Sequence, residues 1–327
     1  MGKGSSGGIP GGLPDVIGRR GVFQSQSAVL GIVLAFIVAV VSALEPRFLS
    51  RNNIQNILQQ TAVLGIASLG MNIVMISGGL DLSIGNNIAL TACVITTLVS
   101  RNVPVGQAVL AGMLCAVGCG ALNGLIIVKS RGFPFIITLG TMTIFNGVAL
   151  VITNGESHSL KGQFQFIGQG MIAHAPVSAV IWAVIACASF VVLRYSKFGR
   201  RLYMVGGNEK AAFFSGVKTN VTKFFVYTLN GFIVWIAAAV LVSRLGSAVP
   251  ATGSGYELRS IAAVVIGGAS LFGGRGTVPG CILGTVLMGI VSNSLNALKI
   301  SYFYQGLILG VIIIGAAVAS TLGEAKR

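Results

Sequence analysis

The sequence predicts an all-α integral membrane protein with about ten transmembrane helices, some short or broken, and a possible internal repeat. Three observations support this fold class. The composition is far more apolar than that of a soluble domain. The apolar residues form runs long enough to cross a bilayer, and two similar glycine-rich segments interrupt those runs.

The composition limits the chemistry that this chain can perform. Of its 327 residues, 54% are hydrophobic and 9% are charged, whereas a soluble domain carries about 25% charged residues. Seven acids and two histidines are too few for a conventional hydrolytic site with its supporting groups. Neither a Walker-type phosphate-binding sequence nor an H-E-x-x-H zinc sequence occurs. We therefore expect no catalytic residues, no metal and no cofactor, and any ATP must bind to another chain.

Apolar runs of about the length that spans a bilayer occur ten times. The glycine- and proline-rich segment 1–26 before them is predicted to be disordered and cytoplasmic. One transmembrane domain then covers 27–322, and 323–327 form a cytoplasmic tail. The predicted spans, the third and eighth of which are short or polar, are 27–44, 60–79, 84–100, 106–128, 135–154, 177–193, 224–243, 260–273, 277–296 and 305–322.

The positive charges indicate the direction in which the chain crosses the membrane. With both termini in the cytoplasm, 15 of the 22 Lys and Arg residues fall on the cytoplasmic side and seven fall outside. Cytoplasmic loops of membrane proteins are enriched in Lys and Arg. The asymmetry favours cytoplasmic termini, and it explains the net charge of +15 without a nucleic-acid partner.

Two glycine-rich segments, at residues 76–85 and 265–274, interrupt apolar runs in a similar way. Aligned on their glycines, both read Gly-Gly-x-(Asp/Ser)-Leu-x-x-Gly, which pairs Asp81 with Ser270. Irregular backbone at membrane depth survives only inside protein or beside a water-filled path, and paired interruptions of this kind point to a translocation site. The alternative is that each Gly-Gly pair merely ends a helix. The match is too short to fix the relative direction of the two segments.

A cytoplasmic loop at 194–223 contains a short helix signal of its own. Asn208 suits the N-cap, Glu209 complements the helix amino terminus, and Gly216 suits the C-cap position. A helix of about two turns is unstable alone in water. Its Ala-Ala step and two phenylalanines predict that it seats in a groove on a partner protein. The alternative is an amphipathic connector lying on the membrane surface.

The sequence Glu-x-Ala-Ala-x-x-x-Gly in this loop resembles the coupling helix of ABC importer permeases. Its flanks resemble those of ribose/xylose/galactoside-type sugar importer permeases, within the branched-chain permease superfamily. Three further segments, at 77–85, 134–143 and 255–276, carry the same resemblance, which covers about residues 50–315. The resemblance implies that the coupling residues are Asn208, Glu209, Ala211, Ala212, Ser215 and Gly216.

The resemblance also implies the assembly. A tandem-domain ABC ATPase would bind beneath the permease, a second permease copy or a paralogue beside it, and a periplasmic sugar-binding protein outside. The setting would be the lipid of the bacterial inner membrane. The chain departs from the family at Arg259, where an acid is usual, and at Asn230, where a serine is common. The departure at Arg259 concerns docking of the binding protein or pairing with a heterodimer partner. The departure at Asn230 puts a substrate contact at that residue in doubt.

A monosaccharide-like solute requires a path of uncharged donors and acceptors. For each such side chain the alternative is a structural hydrogen bond between helices. Asp81 differs, because an acid within or beside a span is a functional-site hypothesis by default. The alternative is that Asp81 caps the following helix. The predicted path or gate residues are Gly78, Gly79, Asp81, Ser83, Asn86, Asn87, Thr141, Asn146, Asn230, Gly267, Gly268 and Ser270.

Two other functions are compatible with the sequence. An ATP-independent secondary transporter or channel would rely on Asp81 as its coupling carboxylate, and it would leave the short loop helix unexplained. A membrane-embedded transferase would need clustered acids and bases, which the sequence lacks. Neither the particular sugar nor the choice between a homodimer and a heterodimer follows from the sequence.

Overall fold

A computed structural model describes residues 18–301, 304–308, 310–312, 314–315 and 318, with the backbone alone for 18–29. A 3₁₀ turn at Pro46–Leu49 follows the first helix. The α-helices are α1 (Gly18–Leu44), α2 (Arg51–Ile76), α3 (Ile84–Ser100), α4 (Val105–Ser130), α5 (Pro134–Thr153), α6 (Phe166–Gln169), α7 (Val177–Tyr195), α8 (Lys197–Gly207), α9 (Glu209–Phe214), α10 (Thr219–Leu245), α11 (Tyr256–Ile266) and α12 (Val278–Ala297).

The helices confirm the predicted all-α class, although the number of ten spans stays a prediction. Six of the described helices are long and apolar enough to cross a membrane: α2, α4, α5, α7, α10 and α12. The predicted short spans are short helices, since α3 has 17 residues and α11 has 11. The predicted last span lies partly outside the described residues, and those that are described between 304 and 318 are helical.

The first helix begins earlier than the predicted span. It starts at Gly18, so it includes residues 18–26 of the segment that composition predicts to be disordered. These residues contain no proline, and a helix that starts in the adjacent apolar run can therefore continue through them. Residues 1–17 and the predicted tail 323–327 lie outside the described part of the chain.

Helices α2 and α10 form the centre of the bundle. The side chains of α2 are buried from Thr61 to Ile76 without interruption, which is the pattern of a helix surrounded by others. Trp182 of α7 and Tyr227 of α10 belong to the same apolar core as α2. By contrast, only 22% of the 18-residue apolar stretch of α5 is buried within the chain. Most of α5 therefore faces lipid or a partner.

Small residues allow two of the helix contacts to be close. A side chain on Gly124 of α4 would press on the backbone oxygen of Phe224 at 3.0 Å, so this face packs on α10. On α12, Gly284 lies against the backbone of Ala263 in α11.

The bundle has two ends that differ in structure. Helices α8 and α9 form one end, named here the α9 end. At the other, the strand end, β1 (His158–Ser159) pairs with β4 (Ser247–Ala248), and β2 (Met171–Ile172) pairs with β3 (Ala175–Pro176), both antiparallel. Helix α10 joins the two ends with 27 residues, a length of about 40 Å.

Candidate translocation and coupling site

The first glycine-rich break ends α2 with a well-formed helix cap. Gly78 has φ +81°, a left-handed conformation that glycine adopts without strain. Its amide donates to the Met75 carbonyl at 2.9 Å, and the Gly79 amide donates to the Val74 carbonyl at 3.1 Å. These are the two hydrogen bonds of a Schellman cap. The alternative view that Gly-Gly ends a helix is therefore correct for the local geometry.

The second break ends α11 with the same cap, but in a different register from the glycine alignment. Gly268 has φ +92°, its amide donates to the Val265 carbonyl at 2.9 Å, and the Ala269 amide donates to the Val264 carbonyl at 3.1 Å. Gly268 is thus the structural counterpart of Gly78.

The sequence alignment, which pairs Gly78 with Gly267, is wrong by one residue. The error arises because the second break has glycine at both the cap and the following position, whereas the first has Ser77 at the cap. In the corrected register Asp81 corresponds to Leu271 and not to Ser270. Asp81 therefore has no polar counterpart in the second break.

Both breaks converge on α8 at the α9 end. The Gly274 amide donates to the Ile76 carbonyl at 2.9 Å, which joins the second break to the end of α2. A Cβ on Gly273 would lie 2.6 Å from the Cα of Gly78 and 2.8 Å from the carbonyl oxygen of Gly206 in α8. Gly78, Gly206, Gly273 and Gly274, named here the glycine junction, therefore bring three segments into backbone contact.

A tyrosine of α8 reinforces this contact. The Tyr203 hydroxyl donates to the Gly276 carbonyl at 2.7 Å. Burial raises the pKa of the Tyr203 phenol, so the hydroxyl stays protonated and able to donate. The sequence argument assigned no role to Tyr203 or Gly206. Gly206 lies in the predicted cytoplasmic loop 194–223, but nothing in its spacing indicated contact with the breaks.

Asp81 is enclosed by donors from two other segments. Its Oδ1 accepts hydrogen bonds from the Ser83 amide at 2.9 Å and the Ser83 hydroxyl at 2.6 Å. Its Oδ2 accepts from Asn230 Nδ2 of α10 at 2.8 Å, and Asn123 Nδ2 of α4 donates to the Ser83 hydroxyl at 2.8 Å. The Asp81 side chain is 2% exposed. The carboxylate thus fixes the first break to α10, away from any wet loop.

The other predicted path residues divide by burial. Asn87, Thr141 and Ser270 are buried. Asn87 donates to the Ala116 carbonyl at 3.3 Å and so joins α3 to α4. Thr141 donates to the Thr138 carbonyl of its own helix at 3.2 Å. Ser270 accepts from the Phe272 amide at 3.1 Å.

Two asparagines in this region remain half-buried. Asn86 donates to the Met142 carbonyl at 2.7 Å, and Asn146 lies on α5. The role of the whole predicted set in a path stays a prediction, and these two side chains are the most accessible asparagines in it.

The predicted loop helix is present as α9. Asn208 caps it by accepting the Ala211 amide at 3.0 Å, and Gly216 follows it with φ +81°. Glu209 forms an ion pair with Lys223 of α10, with 2.6 Å between Oε2 and Nζ. The Asn208 cap stabilises this two-turn helix, and the ion pair holds it against α10.

The exposed surface of α9 differs from the predicted docking face at one position. Phe213 and Phe214 are 63% and 86% exposed, whereas Ala212 is 2% exposed. Ala211, Ser215 and Gly216 are exposed as well. Ala212 faces the interior of the protein, and α9 packs on α8 and α10. It cannot contact a partner directly, and the phenylalanine pair is the surface that can.

Residues 53–317 match the family described as "Branched-chain amino acid transport system / permease component". The chain belongs to this family. The family match covers both breaks, the glycine junction and α9.

Individual permeases are similar over nearly their full lengths. Identity to the ribose import permease protein RbsC of Bacillus subtilis is 40%, over 90% of this chain and 92% of that protein. It is 34% to the D-allose transport system permease protein AlsC of Escherichia coli, over 89% and 90%. It is 33% to the L-arabinose permease protein AraH of Azospirillum brasilense, over 90% and 88%.

One solved structure has a similar fold. It is a chain of an ABC transporter assigned to the metal-chelate type, in an inward-facing conformation, with TM-score 0.54 and 16% identity. The similarity covers 93% of this chain and 99% of that one. At this identity the likeness concerns the fold alone.

Proposed function

We propose that this permease is the membrane subunit of an ABC importer, which moves a monosaccharide-like solute inward by alternating access driven by a partner ATPase. The observation that carries the mechanism is the glycine junction. It places the loop that bears α9 in backbone contact with both interrupted segments. ATP hydrolysis is assigned to another chain, and this chain is the transport subunit.

The mechanism begins at α9. Two adjacent phenylalanines that are mostly exposed on a short, capped helix form the type of apolar anchor that seats in a pocket of a partner. When the ATPase closes on ATP, α9 moves with it. Helix α8 ends one residue before α9 begins, with Asn208 between them, so the motion reaches Gly206.

The junction then transmits the displacement to the two breaks. Closely packed backbone has little room to deform, because interiors are dense and switch between discrete arrangements. A shift of α8 therefore moves the ends of α2 and α11 together. The two breaks exchange an outward-open arrangement for an inward-open one, and the predicted path residues line the route that opens.

The solute class follows from the relatives and from the chemistry of the breaks. The relatives named above carry ribose, allose and L-arabinose in their names. The hydroxyls of a monosaccharide need both donors and acceptors, and amide side chains supply both. Asn86 and Asn146 are the half-buried amides that are available for this role.

The assembly contains further partners. A tandem-domain ATPase binds at the α9 end, which is cytoplasmic together with both termini. A periplasmic sugar-binding protein docks at the strand end, and lipid of the bacterial inner membrane surrounds the complex. A second permease copy or a paralogue packs on α5. There, Gly140 and Gly147 are exposed with no described atom within 4 Å of an added Cβ, and small residues allow helices of two subunits to approach.

A secondary transporter that works through Asp81 has less support. Both carboxylate oxygens of Asp81 accept hydrogen bonds within the chain, and the side chain is buried. A coupling carboxylate must exchange protons or ions with water on both sides of the membrane during the cycle, which this arrangement blocks.

The test is uptake by proteoliposomes that contain this chain with the ATPase and the binding protein encoded beside it. Radiolabelled ribose, allose, arabinose and galacturonate serve as solutes, with ATP or a non-hydrolysable analogue inside. We expect uptake of at least one solute with ATP and none with the analogue. Equal uptake in both conditions would contradict an ATP-driven importer.

A further inference from the structure

A polar cavity lies at the strand end, remote from the glycine junction. It has a volume of about 280 Å³ and is enclosed by α2, α10, α11 and α12. Arg244 at the end of α10 and Arg259 in the first turns of α11 both line it, together with Tyr256. This volume is near the lower end for small-molecule sites and is adequate for one monosaccharide.

The two guanidinium groups share this cavity without a matching acid. Both Arg244 and Arg259 are half-buried. Among the residues that the structure describes, the one ion pair joins Lys223 and Glu209 at the α9 end.

The nearest acid along the chain is directed elsewhere. Glu257 accepts the Gly255 amide at 3.1 Å through Oε1, and its Oε2 lies against Gly85 of α3. It is absent from the lining of this cavity. The cavity therefore carries a formal charge of +2 from its arginines.

Two cations in one partly desolvated cavity favour an anion between them. Like charges repel more strongly as water is removed, and a bound anion relieves this repulsion. The guanidinium group recognises carboxylate and phosphate through paired N–H donors in a fixed plane. The anion that fits is therefore planar or tetrahedral and small.

The rest of the lining suits a hydroxyl-rich molecule. Four uncharged polar side chains from three segments face the cavity: Gln60, Ser292, Asn296 and Gln305. Gln305 Nε2 donates to Asn296 Oδ1 at 2.9 Å, so this amide pair is already oriented. Leu64 and Met288 supply an apolar wall. Apolar walls with a few placed polar groups are typical of sites for small organic ligands.

We propose that this cavity binds the carboxylate of an acidic monosaccharide, a uronate or an aldonate, so that the solute of this permease is a sugar acid. The carboxylate lies between Arg244 and Arg259, and the hydroxyls contact the amide pair and Ser292. This inference rests on the proposed importer function and specifies its substrate class.

Binding to the complex of permease and ATPase in nanodiscs tests the proposal by isothermal titration calorimetry. The probes are D-galacturonate, D-galactose as its neutral counterpart, and sulfate. Arg259→Gln removes one guanidinium, Arg259→Lys keeps the charge, and Arg101→Gln removes an exposed arginine of the same end. We expect saturable galacturonate binding that weakens at least tenfold in Arg259→Gln, weakens less in Arg259→Lys and is unchanged in Arg101→Gln.

Each other result overturns the proposal. Equal affinity for galacturonate and galactose would show that charge plays no part. Equal affinity for galacturonate and sulfate would show an adventitious ion only. Binding that appears only when the binding protein is added, and is lost in Arg259→Gln, would show that the arginines dock that protein. If Arg259→Gln elutes as aggregate, the comparison of galacturonate with galactose on the unmodified chain decides the charge requirement.

The uptake assay distinguishes a failure of the sugar-acid proposal from a failure of the importer proposal. ATP-dependent uptake of ribose but not of galacturonate would refute the sugar-acid assignment and leave the importer intact. Galacturonate binding without ATP-dependent uptake of any solute would support the cavity and refute the importer.

Discussion

The backbone of Gly206 in α8 lies directly against the carbonyl oxygen of Ile76, the last residue of α2. A Cβ on Gly206 would overlap that oxygen and would lie 2.7 Å from the Gly274 amide nitrogen. The loop that carries α9 is thus in contact with the end of the central helix, and any side chain at residue 206 must separate them.

The first prediction is that Gly206→Ala abolishes ATP-dependent uptake, whereas Gly207→Ala preserves it. The added methyl at 206 forces backbone apart, and overpacking of this kind costs roughly 1–3 kcal/mol. At Gly207 an added Cβ meets no described atom within 4 Å. The measurement is uptake in proteoliposomes at equal permease content. Similar uptake by the two variants would show that the junction does not transmit motion.

The second prediction concerns the buried hydrogen bond from Asn230 to Asp81. Asn230→Ala leaves Asp81 Oδ2 without its donor, and losing a hydrogen bond to a charged group costs about 1.5–3 kcal/mol. We expect a lower thermal unfolding midpoint for the purified permease. Asn220→Ala, at an exposed position of the same helix, is the control and should unfold like the unmodified chain. Equal midpoints for all three proteins would remove Asp81 from the stabilising network.

The third prediction is that proton gradients do not drive uptake. The carboxylate oxygens of Asp81 accept hydrogen bonds from Ser83 and Asn230 in this conformation, and the side chain is buried. Asp81 therefore offers no route for protons. Collapsing the pH gradient with an ionophore should leave ATP-dependent uptake unchanged. A strong decrease would restore the secondary-transporter alternative.

The fourth prediction concerns the Glu209–Lys223 ion pair, which ties α9 to α10. The Glu209 side chain is 46% exposed and that of Lys223 is 22% exposed, and exposed pairs contribute about 0.2–1 kcal/mol. Lys223→Ala should therefore change the unfolding midpoint little. It should reduce the coupling between ATP hydrolysis and transport, so that the ATPase activity no longer depends on solute-loaded binding protein. The charge-swapped double variant Glu209→Lys/Lys223→Glu should restore that dependence. Failure of the swap to restore it would assign the defect to another role of Lys223.

Local sequence signals predicted the caps of α9 well. Asn208 and Gly216 occupy the positions that their capping preferences indicate, because cap chemistry is decided by neighbouring residues. Burial was not predictable in the same way. Ala212 is buried because α9 packs on α8 and α10, and the local pattern does not show how the helix is oriented against them.

The breaks illustrate the same limit. Their glycines were found from sequence, but the register between them was wrong by one residue, since Gly267 and Gly268 look alike until the left-handed φ identifies Gly268. The junction includes Gly206, which lies more than 50 positions along the chain from either break. Only the folded chain brings them together.

The most direct test of the account is whether the exposed phenylalanines of α9 hold the ATPase. The complex of this chain with its ATPase is purified in detergent through a tag on the permease, with Phe213→Ala/Phe214→Ala as the variant. Phe36→Ala, at a 69% exposed position of α1, is the control. We predict that the double variant remains monodisperse and loses the ATPase, while the control retains it. Full retention of the ATPase by the double variant would contradict the assignment of α9 as the coupling helix.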